Sequence, residues 1–415
     1  MVQTPNGDFK PSNSFLFEVD KLAEDVDAQF FDADNDGDQD LYVVSGGNMY
    51  TGNNPFLLDR LYLNDGTGTF TKSAAALPKI YSDNSSVCIA DVDNDGDQDV
   101  FVAGFTHAEH YGKSQSCYLL LNDGNGHFTE SKQNATFKDL GMATDAAITD
   151  LNKDGLKDIV VVGEWMSITL FVNMNGQFTK TSIPQSTGLW QCILADDVNG
   201  DGNLDLLIGN WGLNTKLKAY KTAPLKMYVA DVNKNGRVEQ LLSFVENGIE
   251  YPFYSKEKTE MVLPFIKKKF LYYHQYANAP LDSIFGEMLH NVNPLTAERL
   301  ASVVAYGDGK GGFTLHDLPK DLQRAPINTI LKAKAQGSYL LGGNVYAVTP
   351  LENRYDAQAL ALMKYDGTQL IRSSQQNLSA MRGEVRDLKW IKSAKLDEVL
   401  MVIRNNQKLR FYQAY

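Results

Sequence analysis

The fold is decided by the stretch Asp32-Ala-Asp-Asn-Asp36-Gly-Asp-Gln-Asp40, which an apolar run, Leu-Tyr-Val-Val, follows directly. The same nine-residue pattern of acids and amides around a central glycine recurs at 91–99, 150–158 and 197–205, and each copy precedes another apolar run. A fifth and weaker copy at 231–239 carries Asn235 and Arg237 in place of acids. Repetition at such an interval indicates one structural unit used several times.

The spacing within each copy suits a calcium ion. Ca²⁺ takes six to eight oxygen ligands at about 2.3–2.6 Å, drawn from carboxylates, amides and backbone carbonyls. Side chains at positions one, three and five converge on one point when the chain turns sharply, and the glycine at position six allows that turn. An EF-hand completes its shell with a glutamate at position twelve, on a helix. Here the last acid stands at position nine and a strand follows, so the pattern predicts calcium loops between strands.

We predict four bound Ca²⁺ ions, one in each of the first four loops. The alternative is an acidic turn that stays solvated, but several carboxylates within nine residues repel one another unless a cation neutralises them. Both interpretations remain open for the fifth loop, which has fewer acids. The predicted ligands, with position seven acting through its carbonyl where it lacks an acid, are Asp32, Asp34, Asp36, Asp38, Asp40, Asp91, Asp93, Asp95, Asp97, Asp99, Asp150, Asn152, Asp154, Leu156, Asp158, Asp197, Asn199, Asp201, Asn203 and Asp205.

Each loop lies between two apolar strands, and a second hairpin follows. Asn-Asp-Gly or a related turn joins apolar runs at 61–70, 119–128, 170–178 and 304–313, which is a strong hairpin signal. A four-stranded unit repeated in this way is typical of the blades of a β-propeller. The first two strands of such units are found at 28–44, 87–103, 143–162, 191–208, 226–244, 327–342 and 385–403.

We therefore predict an all-β chain forming a seven-bladed β-propeller, with residues 1–415 as one domain. The last blade lacks a fourth strand, and residues 6–10 have the form of one, so the N-terminal segment is expected to complete that blade and close the ring. Residues 256–298 have apolar residues at helical spacing and are predicted to form a helical insertion within blade five.

Composition excludes several classes of protein. With 43% hydrophobic residues and 33 glycines in 415, the chain is too apolar for disorder and too rich in turn formers for a helical bundle. A net charge of −12 argues against nucleic-acid binding. Three cysteines, Cys88, Cys117 and Cys192, do not make a disulfide framework. The first thirty residues lack the features of a signal peptide, so we expect either a cytosolic protein or the trimmed body of an exported one.

These motifs carry a family resemblance. The acidic loops, the strands after them and the Asn-Asp-Gly-x-Gly-x-Phe turns resemble FG-GAP/VCBS repeats, a family that includes the integrin α-subunit propeller. Other stretches are similar to the C-terminal propeller of exported Bacteroidetes VCBS-repeat proteins: 163–165, 209–214, 264–270 with Tyr276-Ala277, and 353–356. The resemblance implies a seven-bladed propeller, bound calcium and a periplasmic or surface location. The ASPIC/UnbV module often found beside such propellers is missing here, so we expect a fragment or a reduced relative.

The connections on the face opposite the calcium loops are rich in aromatic, histidine and asparagine residues. Aromatic faces with directional hydrogen-bonding groups suit sugars or peptide loops, although the aromatics could instead fill the central funnel. We assign ligand binding to Asn48, Tyr50, His107, His110, Tyr111, Glu164, Trp165, Asn210, Trp211, Asn214, Asn344, Tyr346, Arg354 and Tyr355.

The sequence thus predicts a non-catalytic, calcium-binding extracytoplasmic propeller that recognises a glycan or protein partner. Calcium reaches millimolar levels outside the cytosol, which favours a periplasmic or cell-surface location. The alternative is a calcium-dependent polysaccharide lyase or hydrolase that uses His107, Glu109, His110, Glu164 and Arg354 as acid, base or charge neutraliser. No zinc-protease spacing and no Gly-x-Ser-x-Gly elbow supports that alternative. A purely structural spacer is a third interpretation.

Overall fold

The computed structural model describes residues 2–4, 6, 8–10, 15–348, 354–374, 378, 381–395 and 398–413. The protein is all-β, with 42% of the chain in strands and 11% in helices. It begins with a short hairpin and one helix: β1 (Val2–Gln3), β2 (Phe9–Lys10) and α1 (Phe15–Val19).

Three antiparallel sheets then follow in chain order. Sheet 1 contains β3 (Asp25–Phe31), β4 (Asp40–Ser45), β5 (Arg60–Asn64) and β6 (Phe70–Lys72). Sheet 2 contains β7 (Asn84–Ala90), β8 (Asp99–Gly104), β11 (Tyr118–Asn122) and β12 (Phe128–Glu130). A separate two-stranded hairpin, β9 (Thr106–His107) and β10 (His110–Ser114), lies between β8 and β11 in the chain. Sheet 3 contains β13 (Met142–Thr149), β14 (Asp158–Met166), β15 (Thr169–Asn173) and β16 (Phe178–Ser182), with β17 (Gly188–Leu189) paired to β14.

The second half of the chain contains three more sheets of this series and one inserted sheet. Sheet 4 starts with β18 (Cys192–Asp196) and β19 (Asp205–Gly209). The inserted sheet comprises β20 (Leu225–Ala230), β21 (Glu239–Glu246), β22 (Ile249–Pro252) and β23 (Leu295–Ala297), after which β24 (Val303–Gly307) and β25 (Phe313–Asp317) complete sheet 4. Sheet 5 contains β26 (Ile327–Lys332), β27 (Ser338–Gly343), β28 (Ala361–Tyr365) and β29 (Leu370–Arg372), and sheet 6 contains β30 (Val385–Lys392), β31 (Glu398–Arg404) and β32 (Arg410–Gln413).

Helices lie between β22 and β23 of the inserted sheet. They are α2 (Lys256–Val262), α3 (Phe265–Lys269), α4 (Tyr273–Ala277) and α5 (Leu281–Phe285). Short 3-10 helices are found at Pro55–Leu57, Lys132–Phe137, Gly286–Met288 and Lys320–Leu322.

Strand pairing confirms the four predicted second hairpins but corrects the place of one of them. The hairpins at 61–70, 119–128, 170–178 and 304–313 all form antiparallel pairs. Because the insertion at 256–298 is predicted to lie within blade five, the hairpin at 304–313 would complete the fifth unit, whose first two strands lie at 226–244. It belongs instead to sheet 4, because residues 206–208 of β19 pair with residues 303–305 of β24. The fifth predicted unit is therefore a sheet inserted between the second and third strands of sheet 4, and the predicted assignment of seven successive blades is wrong.

The first strands of the six numbered sheets lie side by side in chain order. Hydrogen bonds link each first strand to the next: the Val87 backbone N–H donates to Asp27, the Ile193 N–H donates to Asp145, and the Trp390 indole donates to the Lys332 carbonyl. Side chains bridge the remaining gaps, since Ser85 Oγ donates to Ala143 O and Cys192 Sγ lies 3.4 Å from Ile327 O. Strand β20 has no place in this series.

Apolar clusters fill the space between consecutive sheets. Phe101, Phe137 and Phe171, all fully buried, pack edge to face between sheets 2 and 3. Comparable clusters lie between the other neighbouring sheets. This arrangement follows from the second strands, which read as continuous apolar runs because both of their faces are buried.

The N-terminal hairpin lies against sheet 6. The rings of Phe9 and Phe411 stack with their centroids 4.6 Å apart, and Gln3 Nε2 donates to the Lys392 carbonyl. Within the described residues β2 pairs with β1, and no pairing of β2 with β32 is found. The segment is therefore beside the last sheet, as predicted, but its expected role as a fourth hydrogen-bonded strand is not reproduced.

A carboxyl group between the first strands should make stability depend on pH. Asp145 accepts backbone N–H groups from Ala146 and Ile193, yet burial, with help from Asp27 and Asp387, raises its pKa to about 7. An acid whose folded pKa is raised loses stability as the pH rises from its unfolded pKa to its folded pKa. We expect the free energy of unfolding to fall by up to about 1.4 kcal/mol per pH unit between pH 4 and 7 from this group alone.

Denaturant titrations of the wild type and Asp145→Asn in saturating calcium test this expectation, because calcium at the predicted loops would keep their carboxylates ionised. The variant should lose the pH slope of this group, whereas Asp123→Asn in an exposed hairpin should keep it. Parallel pH profiles for the wild type and Asp145→Asn would contradict the assignment.

Candidate metal centres and binding face

All five acidic loops adopt one backbone conformation. In four of them the residue at position four is left-handed without being glycine, as at Asn35 (φ 60°) and Asn94 (φ 61°), and the position-six glycine has φ from 83° to 99° in every loop. The first aspartate then accepts the N–H of that glycine, with distances from 2.8 to 3.1 Å. The repeated Gly at position six is thus required by the left-handed turn, in which a Cβ would be strained.

The acid at position nine is a structural clamp as well as a possible ligand. Asp40, Asp99, Asp158 and Asp205 are fully buried. In each, one oxygen accepts the N–H of position two, as Asp99 does from Val92 at 3.0 Å. The other oxygen accepts an N–H at the end of the sheet's third strand, as Asp99 does from Asn122 at 2.9 Å. The acid therefore holds the loop to the sheet, and each oxygen keeps a second lone pair.

The first two loops gather their carboxylates around one point. Ligand oxygens of Asp32, Asp34 and Asp40 lie within 4.8 Å of one another, as do those of Asp91, Asp93 and Asp99. Four carboxylate oxygens in these two loops are buried and have no hydrogen-bond partner, namely Oδ1 of Asp32, Asp34 and Asp91 in the clusters and Oδ1 of the neighbouring Asp38. An unpartnered buried carboxylate oxygen is costly, and an arrangement of several is the donor set of a hard cation.

The raised pKa values of carboxyl groups in these two loops also favour a bound cation. Burial raises the pKa of Asp34, and repulsion from Asp40 and Asp36 adds to that shift. Burial likewise raises the pKa of Asp99 to about 7, with further repulsion from Asp93 and Asp95. A cation at the centre of each loop would relieve both costs.

The third, fourth and fifth loops replace an acid at position three with asparagine. Asn152 and Asn199 each donate an amide hydrogen, at 2.9 Å, to the acid at position five, and Asn233 donates to Glu239. These amides reduce the like-charge repulsion that the first two loops retain. Leu156 of the third loop has its N–H bonded to Asp154, which leaves its carbonyl as the group that the prediction uses.

Neighbouring loops are also joined to each other. Asn35 of the first loop donates to Asp97 of the second at 2.7 Å, and Lys153 of the third donates to Asn203 of the fourth at 2.6 Å. These bonds tie the side chains of the first loop to those of the second, and the third loop to the fourth.

The profile for the FG-GAP-like repeat matches this chain twice, at residues 32–102 and 150–208. Each match begins at the first aspartate of an acidic loop. The chain contains FG-GAP-like repeats in these two stretches. The family resemblance inferred from the loops and hairpins is confirmed.

Two solved structures are similar to this chain at a low level. One is an Agrocybe aegerita lectin, described by its specific recognition of non-reducing terminal N-acetylglucosamine, with 15% identity, coverage of 73% of this chain and 82% of the lectin, and a TM-score of 0.32. The other is the V. cholerae biofilm matrix protein Bap1, with 10% identity, coverage of 91% of this chain and 74% of that chain, and a TM-score of 0.35. No curated protein sequence matches the chain.

The predicted ligand residues near sheets 2 and 3 form one hydrogen-bonded group. The Tyr111 hydroxyl donates to the Glu164 carboxylate and accepts from the Trp165 indole at 3.0 Å, while Gln191 donates to the other Glu164 oxygen at 3.0 Å. Burial raises the pKa of Glu164, and the two hydrogen bonds oppose that shift. Trp165 itself is 8% exposed and packs with Leu225 and Met227 of the inserted sheet, so that sheet covers part of the predicted binding face.

The residues considered for catalysis have separate partners. His107 lies 3.3 Å from Gln115, Glu164 is held by Tyr111 and Gln191, and the Arg354 guanidinium stacks on Tyr346 at 5.3 Å. His110 is partly buried and its Nδ1 has no partner, while Glu109 is exposed.

Two predicted ligand residues are internal asparagines. Asn210 is fully buried and donates to the Arg299 and Ala301 carbonyls, and Asn344 is 2% exposed and donates to the Gln358 and Gly383 carbonyls. Their side chains fix the connections between strands. The sequence gives no sign of this burial, because asparagine is equally common on surfaces.

The remaining predicted residues lie around sheets 1, 4 and 5, and Tyr355 among them is buried. Asn48 is exposed, and Tyr50 packs on Phe56 with ring centroids 4.9 Å apart. Trp211 meets Tyr355 edge to face at 5.3 Å, and its buried indole Nε1 has no partner.

Next to these aromatics lies a groove that the sequence prediction missed apart from Asn214. It has a volume of about 500 Å³ and is lined by Leu213, Asn214, Lys320, Gln323, Arg324 and Ala357. Asn214 donates to the Arg324 carbonyl at 3.1 Å, which joins the connection after β19 to the one before β26. Lys320 and Arg324 are exposed, and the ion pairs found among the described residues include neither. None of the described helices has the length and hydropathy needed for a membrane span.

Proposed function

We propose that this protein is an extracytoplasmic, calcium-stabilised β-propeller that recognises a glycan or protein partner without catalysis. The observation that carries the calcium part is the set of unpartnered buried oxygens on Asp32, Asp34, Asp38 and Asp91. Ca²⁺ would be held by the acids and amides of the first four loops and would neutralise carboxylates that otherwise repel. Millimolar calcium outside the cytosol would keep such loops filled, which supports a periplasmic or surface location.

The proposed propeller has six blades rather than seven. Sheets 1 to 6 would form a ring that closes between β30 and β3, with residues 1–415 as one domain and the inserted sheet as an addition to sheet 4. Burial raises the pKa of Asp27 in β3, and the charges of Lys389 and Asp387 in β30 act on it with opposite signs, a proximity that supports closure. The stacking of Phe9 on Phe411 holds the N-terminal hairpin, which precedes β3 in the chain, against sheet 6.

The partner would bind on the face opposite the calcium loops, at the groove beside Trp211 and Tyr355. This groove combines an exposed amide and two cationic side chains, and the half-buried Trp211 ring, packed on the buried Tyr355, lies beside it. These groups suit a hydroxylated ligand with an acidic substituent. A volume of about 500 Å³ is in the range of small-ligand sites.

A screen of neutral and acidic glycans against the wild type and Arg324→Ala tests the site. We expect the best acidic glycan to lose at least tenfold in affinity in Arg324→Ala, because a charge-assisted hydrogen bond is lost. Lys310→Ala, which removes an exposed cation from the hairpin between β24 and β25, should bind like the wild type. Equal affinity in wild type and Arg324→Ala would contradict this placement, and turnover of any glycan would contradict the non-catalytic assignment.

A further inference from the structure

The helical segment of the inserted sheet presents an unusual outer face. Five large apolar side chains between the end of α2 and the start of α4 are more than half exposed: Met261 (79%), Val262 (55%), Leu271 (73%), Tyr272 (56%) and Tyr273 (61%). We call these five residues the apolar tips. Single exposed apolar residues are common, but five within thirteen residues indicate an interaction surface.

The exposure of the tips does not result from poor packing, because the inner faces of the same helices are well packed. Leu263 and Ile266 are fully buried and Tyr276 is 2% exposed, and all three pack in one cluster with α5. The Tyr276 hydroxyl bonds to Thr259 Oγ1 at 2.9 Å, which ties α4 to α2. These inner contacts fix the orientation of the helices, so the tips stay at the surface.

The part of the helical segment that carries the tips has a charge opposite to that of the chain. Residues 256–278 contain five lysines and two glutamates, a formal charge of +3, whereas the whole chain carries −12. Lys267 and Lys268 are exposed between the two groups of tips. Lysines next to exposed tyrosines and aliphatic residues are the combination that binds the interface of an anionic bilayer.

We propose that the apolar tips and Lys267 and Lys268 dock the protein on an anionic lipid bilayer. The tips would enter the boundary between headgroups and acyl chains, and the lysine ammonium groups would lie at the lipid phosphates. A lipid surface fits better than a folded protein partner, because the tips expose on the order of 500 Å², less than the roughly 800 Å² that each side of a stable protein interface buries. The inference is independent of the glycan groove, which lies on other residues.

Co-sedimentation of the full chain with vesicles tests the proposal. Phosphatidylcholine vesicles containing phosphatidylglycerol should bind the protein at low salt, and pure phosphatidylcholine vesicles should bind it less. Lys268→Glu should lower partitioning to the anionic vesicles by about tenfold or more, since it reverses a charge at the surface. Leu271→Ser should lower it by about tenfold, since it removes an inserted apolar side chain.

Matched controls separate this surface from general effects of charge and hydrophobicity. Lys310→Glu makes the same charge change in a hairpin of sheet 4, and Met174→Ser removes a side chain of similar exposure (61%) in sheet 3. Calcium is held constant throughout, and both controls should bind within twofold of the wild type. The proposal is overturned if the anionic vesicles do not bind the wild type, if Lys310→Glu loses as much as Lys268→Glu, or if the variants instead abolish a dimer in solution.

Discussion

Chelation of calcium by EGTA is expected to lower the melting temperature of the protein by more than about 10 °C. An ion that binds only the folded state stabilises it by about 2.7 kcal/mol per site at one hundred times its dissociation constant, and four loops would act together. Each kcal/mol corresponds to only about 1 °C in a chain of 415 residues, so the four sites together account for a shift of this size. Removal of the ions would also restore repulsion among carboxylates such as Asp32, Asp34 and Asp40, whose oxygens lie within 4.8 Å of one another.

Variants of the loops themselves provide the control for chelation. The double variant Asp32→Ala and Asp91→Ala removes the first ligand of two loops and should show about half of the calcium-dependent shift. Restoring calcium after EGTA should return the wild type to its original melting temperature. Identical melts with and without EGTA would mean that the acidic turns are solvated and that the calcium assignment is wrong.

Replacement of Asp99 by alanine is expected to destabilise the protein by roughly 3–5 kcal/mol, even in saturating calcium. Asp99 is fully buried and accepts the N–H groups of Val92 and Asn122 at 3.0 and 2.9 Å. Truncation leaves both donors buried and unpaired, and it removes the clamp between the second loop and the third strand of sheet 2. Denaturant unfolding of the purified variant measures the loss.

Asp123→Ala is the matched control for that variant. Asp123 lies in the hairpin of the same sheet and also accepts two backbone N–H groups, from Asn125 and His127, but its side chain is 55% exposed. Water replaces those lost hydrogen bonds, so its cost should stay below about 1 kcal/mol. Similar losses in the two variants would show that position nine is not the structural clamp described here.

The local features of this fold could be predicted from sequence because each is encoded within a few residues. The left-handed turn at Gly37 or Gly96 and the hairpin at Asp123 need no information from elsewhere in the chain. The pairing partner of a strand, in contrast, is not encoded within a few residues. The pairing of β19 with β24 spans the whole inserted sheet, and the loop at 231–239 looks like the start of another blade although it lies inside that insertion.

The same distinction applies to the site. The acids of each loop are adjacent in sequence, so their convergence could be foreseen, but the clamp role of Asp99 depends on Asn122 in a later strand. The groove of Asn214, Lys320 and Arg324 is formed by two connections that only the contact of sheets 4 and 5 brings together. Residue type and position in a connection predict a binding role for Asn210 and Asn344, but their burial follows from tertiary packing.

Equilibrium dialysis of the purified protein against calcium tests the central claim most directly. We predict about four ions per chain, the number of loops with a complete set of oxygen ligands, and one fewer in Asp32→Ala and in Asp91→Ala. A wild-type protein that binds no calcium, or binds the same number as these variants, would contradict the assignment of the loops as metal centres.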